Sequence, residues 1–173
     1  LLCDCDCDGL IDEGCIKSYT NQRMMFTINT IGYYDLFGGE DAVLSTLAHE
    51  FNHMLNYINR TIKNGAEYET WYTEMLSTIT EDFSPSLLNI QNTSQGNRLN
   101  LFMRYPYSGM INWGSYGNSV EYSYGFSYAF GAYLIRNYGG VDLLNKLATS
   151  SQKSGEDAIK DAVTSCGYKS ESY

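Results

Sequence analysis

Basic residues and long apolar runs are both scarce in this 173-residue chain. Only 11 Lys and Arg stand against 20 Asp and Glu, which gives a formal net charge of −9 at pH 7. Proteins that bind nucleic acid need clustered cations to neutralise phosphates, so this charge balance argues against such a partner. No stretch approaches the roughly 18 uninterrupted apolar residues of a transmembrane helix. We therefore expect neither a nucleic-acid partner nor a membrane span.

Cysteine is present but unevenly distributed. Four of the five cysteines lie within the first 15 residues, which is not the spacing of a domain-wide disulfide framework. The chain opens on Leu1 instead of Met, and we expect a processed product or a domain excised from a longer protein. With 43% hydrophobic residues, its composition differs from that of disordered proteins and suits one folded core.

Apolar residues recur at three- and four-residue intervals along most of the chain, which predicts helices. The clearest run covers residues 40–59 and contains one apolar stripe, formed by Leu44, Leu47, Phe51, Leu55 and Ile58. Further helices are predicted over residues 67–83, 99–104, 124–137, 141–150 and 156–165, with Pro85 ending the first of them. A period-two pattern over residues 23–29 predicts a strand. The predicted fold class is α+β, predominantly helical with a small N-terminal β portion.

The two histidines of the chain, His49 and His53, flank Glu50 in the middle of the clearest helix. Residues four apart on a helix project from the same face, so both imidazoles can bind one Zn²⁺ while Glu50 stands beside its open position. The apolar stripe should face the core from the opposite side, leaving the histidines and Asn56 to face a cleft. The H-E-x-x-H pattern therefore predicts a zinc site.

A catalytic zinc ion needs a third protein ligand, and no other histidine is available. A carboxylate, or less readily a cysteine, must supply it. The second predicted helix offers five acidic residues: Glu67, Glu69, Glu74, Glu81 and Asp82. Glu74 is favoured because a carboxylate in the middle of a helix, between Trp71 and Met75, is costly unless something pairs with it.

The segment from Thr46 to Asn56, followed by Trp71-Tyr72-Thr73-Glu74 and by Glu81-Asp82, resembles the hyicolysin family of gluzincin-type, thermolysin-like zinc metallopeptidases. This resemblance implies a zincin-like fold over residues 17–173 and Glu74 as the third ligand. It also implies a zinc-dependent endopeptidase acting on protein or peptide substrates, secreted or at the cell surface and of bacterial origin.

The predicted mechanism uses a zinc-activated water molecule, with Glu50 as general base. A tyrosine should stabilise the oxyanion, because no third histidine exists. The candidates near the start of the third long helix are Tyr122, Tyr124 and Tyr128. Ligating histidines also need a partner for their second ring nitrogen, for which the candidates are Thr78, Glu81 and Asp82.

The first 16 residues form a separate acidic segment in which Asp4, Asp6, Asp8 and Asp12 match a D-x-D-x-D-G-x-x-D calcium loop. Cys15 stands where an EF-hand has its bidentate Glu, so the match is partial, and a flexible acidic tail is the alternative. A Ca²⁺ site would fit a second function, a non-catalytic calcium-binding adhesion module that retains the zincin scaffold. Glu50 argues against that function, because a binding scaffold needs no base.

Overall fold

Six α-helices and one π-helical segment make up the regular structure of the computed structural model, which describes residues 39–91, 94–107, 109–114 and 120–168. Helix α1 (Gly39–Asn56) continues directly into the π-helical segment (Tyr57–Lys63). The remaining helices are α2 (Thr70–Leu88), α3 (Ser94–Arg104), α4 (Val120–Tyr138), α5 (Gly140–Ala148) and α6 (Gly155–Ser165). None of these described helices combines the length and apolar character that a membrane crossing requires.

The α+β fold class is wrong for the part of the chain that the structure describes, where every regular element is helical. In the described segments from residue 39 onward, apolar residues recur at helical and not at alternating intervals, which favours helices over a sheet. The strand predicted over residues 23–29 and the domain boundary predicted after residue 16 lie outside the described residues.

Helix α2 runs past Pro85, although this proline was predicted to end it. A proline inside a helix leaves the carbonyl oxygen four residues earlier without its usual donor. That oxygen belongs to Glu81, and it accepts hydrogen bonds from Ser84 Oγ (2.7 Å) and Gln95 Nε2 (3.3 Å). The helix instead ends at Leu88, and the capping residue Asn89 adopts a left-handed conformation with φ of 54°.

The hydrophobic core is centred on α2, which packs between α1 and α4. Its main side chains come from α2, α4 and α5: Tyr72, Met75, Leu76, Ile79, Tyr128, Leu134, Ile135, Leu143 and Leu147. Helices α2 and α4 approach each other closely at Gly131, where an added Cβ would lie 2.8 Å from side-chain atoms of Met75 and Ile79. This contact holds α4 against the same helix that carries Glu74.

Helix α1 packs against α2 with its polar face, whereas its apolar stripe was predicted to be the buried face. Its buried residues are polar, namely Ser45, His49, Asn52 and Asn56, whereas Phe51 and Leu55 in the apolar stripe are 46% and 37% exposed. The polar face is accommodated because α2 offers matching groups. Asn52 donates to Thr80 Oγ1 (2.9 Å) and accepts from Ser77 Oγ (3.4 Å). The histidines therefore lie at the α1–α2 interface, and the predicted separation of core face and site face is wrong.

Candidate metal centre

Three ligand-type atoms from α1 and α2 converge on one point. The Nε2 atoms of His49 and His53 are 3.0 Å apart, and Glu74 Oε2 lies 3.2 Å from the first and 3.5 Å from the second. The i,i+4 spacing on α1 brings the imidazoles together, and α2 presents Glu74 opposite them. His49 and Glu74 are buried, whereas His53 is half-buried. The three residues predicted from H-E-x-x-H and the mid-helix carboxylate are thus brought together.

The spacing of these atoms fits a small cation. A tetrahedral ion with bonds of about 2.0–2.1 Å holds its ligand atoms about 3.3–3.4 Å apart. The three separations of 3.0, 3.2 and 3.5 Å bracket that value. Electron-rich nitrogen and oxygen atoms this close repel one another unless a proton or a metal ion lies between them. Among the described residues, this is the one group of His, Cys, Asp and Glu side chains that could hold a metal ion.

Glu81 orients His49 from the side away from the cluster. The Nδ1 atom of His49 donates to Glu81 Oε1 at 2.5 Å, so Nε2 is the ring nitrogen that faces Glu74. Of the three residues predicted for this role, Glu81 is the one that performs it. Thr78 donates to the Met75 carbonyl, and Asp82 binds Arg136 and the Tyr128 hydroxyl group.

Glu81 is itself held by helix α3. Arg98 donates to both carboxylate oxygens, from Nη1 to Oε2 (2.6 Å) and from Nη2 to Oε1 (2.9 Å), and Ser94 Oγ donates to Oε2 (3.0 Å). No sequence motif pointed to Arg98 as a site residue. The sequence nevertheless contains an indication of its role. Helix α2 contains three acidic residues, Glu74, Glu81 and Asp82, but no Lys or Arg, so a cation that pairs with them must come from another segment. Arg98 is the first basic residue after Lys63.

The contacts between these groups shift their pKa values in opposite directions. Burial by itself lowers the pKa of His49, but hydrogen bonds to Glu74 and Glu81 outweigh it and raise that pKa to about 9. Burial by itself raises the pKa of Glu74, but hydrogen bonds from His49 and His53 lower it to about 2. Without a metal ion, His49 therefore carries a proton at neutral pH between two ionised carboxylates. A metal ion that binds here must displace this proton.

Of the three candidate tyrosines, the structure places Tyr124 at the cluster. Burial raises the pKa of Tyr124 to about 12, and the charge of Glu74, a hydrogen bond to it and the charge of Glu50 act in the same direction. Tyr122 instead stacks on Tyr105, with ring centroids 3.9 Å apart. Tyr128 is buried in the core and donates to Asp82 (3.2 Å).

Glu50 is exposed and follows His49 directly on α1. Its charge contributes to the raised pKa of Tyr124, so these two side chains are within electrostatic range of each other. The predicted calcium residues, Asp4, Asp6, Asp8 and Asp12, lie outside the described residues.

Comparison with known protein families gives a match over most of the chain. The sequence model of a protein family described as Peptidase M30 matches residues 13–171. No curated protein and no solved structure matches the chain. The matched region contains His49, Glu50, His53, Glu74, Glu81 and Tyr124.

Replacement of Glu74 by Ala should weaken zinc binding. We expect one zinc ion per wild-type chain and a loss of affinity of at least about tenfold in Glu74→Ala, because one of three ligands is removed. Elemental analysis and competition with a chromophoric chelator measure both quantities. Glu67→Ala removes an exposed carboxylate from the turn before α2 and serves as the matched control. Unchanged affinity in Glu74→Ala would assign the third ligand to a different carboxylate.

The stability of the metal-free protein should fall at alkaline pH. The raised pKa of His49 stabilises the folded state fully below pH of about 6.5, and this contribution is lost as pH rises towards about 9. Urea unfolding with chelator present, at intervals from pH 6 to pH 10, measures the decline. His49→Gln lacks the titrating group and should give a flatter profile. Equal slopes in the two proteins would contradict the assignment of this proton to His49.

Proposed function

We propose that this chain, which belongs to the peptidase M30 family, is a zinc-dependent endopeptidase of the gluzincin type. One observation carries the proposal: His49 Nε2, His53 Nε2 and Glu74 Oε2 converge at tetrahedral spacing, with Glu50 beside them. Two histidines and one glutamate form a known ligand set of catalytic zinc, which keeps a fourth position for water or substrate. The resemblance to hyicolysin-type enzymes supports a secreted or cell-surface location.

Zn²⁺ held by His49, His53 and Glu74 would supply a Lewis acid and a water molecule whose pKa is about 7. Glu81 keeps the Nδ1 proton of His49 in place, so this imidazole offers its other nitrogen as a neutral ligand. The buried setting of His49 and Glu74 limits competition from solvent.

Glu50 is the proposed general base. It follows His49 directly in α1 and is exposed, and the H-E-x-x-H pattern assigns to it the activation of a water molecule at the open position of the metal. During attack on the scissile carbonyl carbon, Glu50 takes the water proton. It then passes this proton to the leaving amine when the peptide C–N bond breaks.

Tyr124 is the proposed hydrogen-bond donor to the substrate oxyanion. Its raised pKa of about 12 keeps the phenol protonated throughout the neutral range, which a donor requires. Trp113 packs edge-on against its ring, with centroids 5.0 Å apart, and so restricts the ring's motion. A preorganised donor stabilises the transition state because it needs no reorientation as charge develops.

Glu50→Gln should separate metal binding from hydrolysis. We expect unchanged zinc affinity and a fall in kcat of about 10²-fold or more, because the amide cannot accept the water proton. Casein, which is unstructured, is a suitable substrate, and chelator treatment followed by zinc addition shows metal dependence. Glu40→Gln, an exposed position in the first turn of α1, is the matched control. Wild-type-like hydrolysis by Glu50→Gln would remove Glu50 from the mechanism.

Tyr124→Phe tests the oxyanion donor. Loss of the hydroxyl group should lower kcat by about 10²-fold, with KM within about threefold of wild type and zinc still bound. Tyr122→Phe removes an equivalent hydroxyl group from a tyrosine stacked on Tyr105 and should leave both parameters close to wild type. If the two variants lose activity equally, Tyr124 has no special role in the reaction.

A further inference from the structure

Helix α3 contributes no fully buried residue, yet it supplies the groups that surround Glu81. Ser94 Oγ binds one carboxylate oxygen, Gln95 Nε2 binds the backbone carbonyl, and Arg98 binds both carboxylate oxygens. Two parallel N–H bonds from a guanidinium group fix the plane of a carboxylate as well as its position. The side chains of Arg98 and Glu81 are only 16% and 7% exposed, so solvent screens the pair weakly.

The orientation of the Glu81 carboxylate affects the proposed metal ligands through its hydrogen bond with His49. Its Oε1 atom accepts from both Arg98 Nη2 (2.9 Å) and His49 Nδ1 (2.5 Å). On the far side of the same ring, His49 Nε2 lies 3.2 Å from Glu74 Oε2. A rotation of the Glu81 carboxylate would therefore turn the imidazole and move Nε2 relative to the other two ligand atoms.

The same arginine also lies close to Tyr124. Its guanidinium carbon is 6.0 Å from the centre of the tyrosine ring, at the edge of the range for a cation–π contact. The backbones of α3 and α4 meet at this point, because a Cβ added to Gly125 would lie 2.9 Å from the Arg98 carbonyl oxygen. The segment of α4 that carries Tyr124 thus rests directly on the turn of α3 that carries Arg98.

We propose that Arg98 is a positioning residue through which α3 sets the orientation of His49 and Tyr124 together. This inference rests on the proposed function, since it concerns the residues assigned there to metal binding and oxyanion stabilisation. Lysine cannot replace Arg98, because an ammonium group provides neither the planar two-pronged contact with Glu81 nor the flat surface beside the Tyr124 ring.

Arg98→Lys is the test, and Arg136→Lys is its matched control. Arg136 pairs with Asp82, the residue next to Glu81, but this pair has no contact with His49. For Arg98→Lys we expect zinc affinity and kcat each to fall about tenfold, with KM within about threefold of wild type. For Arg136→Lys both should stay within about twofold of wild type. Chelator competition measures zinc affinity without reference to hydrolysis. Equal effects in the two variants would overturn the proposal.

Two double variants show whether Arg98 acts through its neighbours. In a Glu81→Gln background, Arg98→Lys should weaken zinc binding by less than it does alone, because the route to His49 is already altered. In a Tyr124→Phe background, Arg98→Lys should likewise lower kcat by less than it does alone. Fully additive losses in both backgrounds would overturn the proposal, even if Arg98→Lys alone is impaired.

These measurements separate the inference from the proposed function. Absence of hydrolysis by the zinc-loaded wild-type protein would contradict the proposed function. The zinc-affinity comparison of Arg98→Lys, Arg136→Lys and Glu81→Gln would still decide whether Arg98 positions His49. Conversely, an active wild-type enzyme with an unaffected Arg98→Lys variant would overturn the inference alone. Urea unfolding midpoints of the variants show that the comparison is made between folded proteins.

Discussion

The hydrogen bond between His49 and Glu81 is the contact on which the rest of the site depends. It joins α1 to α2 in a buried place where an ionised carboxylate is costly unless it is paired and hydrogen-bonded. Arg98 and Ser94 complete the partners of that carboxylate. Since each group in this network satisfies another, the helices are held in one register. That register places Glu74, seven residues before Glu81 on α2, opposite the two imidazoles.

The packing of α1 follows from the same network. A helix with an apolar stripe normally turns that stripe to the core. Here the hydrogen bonds that His49 and Asn52 form with side chains of α2 outweigh the pattern, and Phe51 and Leu55 stay substantially exposed. The polar interface and the proposed metal centre are therefore the same structure. A change that separates the two helices would affect folding and metal binding together.

Helix α3 illustrates how a surface element can contribute to a buried site. It has no fully buried side chain and packs on α4, and its Ser94, Gln95 and Arg98 all bind Glu81. Gln95 also donates to the backbone carbonyl oxygen of Glu81, which Pro85 leaves without its helical donor. Helix α3 therefore compensates in part for the hydrogen bond that the proline removes from α2. The first half of α3 is thus bound to the residue that orients His49. This arrangement suits an element whose role is to hold others in position.

The sequence alone determined those features that depend on neighbours within a turn or two of helix. These include the positions of most helices, the shared face of His49 and His53, and the expectation that Glu74 needs a partner. The tertiary structure decided which face of α1 is buried, which acidic residue orients His49 and which of the three candidate tyrosines interacts with Glu74. It also brought Arg98 to the site, and in the described part of the chain every regular element is helical, where an α+β fold was expected. These outcomes depend on contacts between residues 17 to 50 positions apart, such as Arg98 with Glu81 and Tyr124 with Glu74. Spacing along one helix carries no information on such contacts, because they arise only when separate helices pack together.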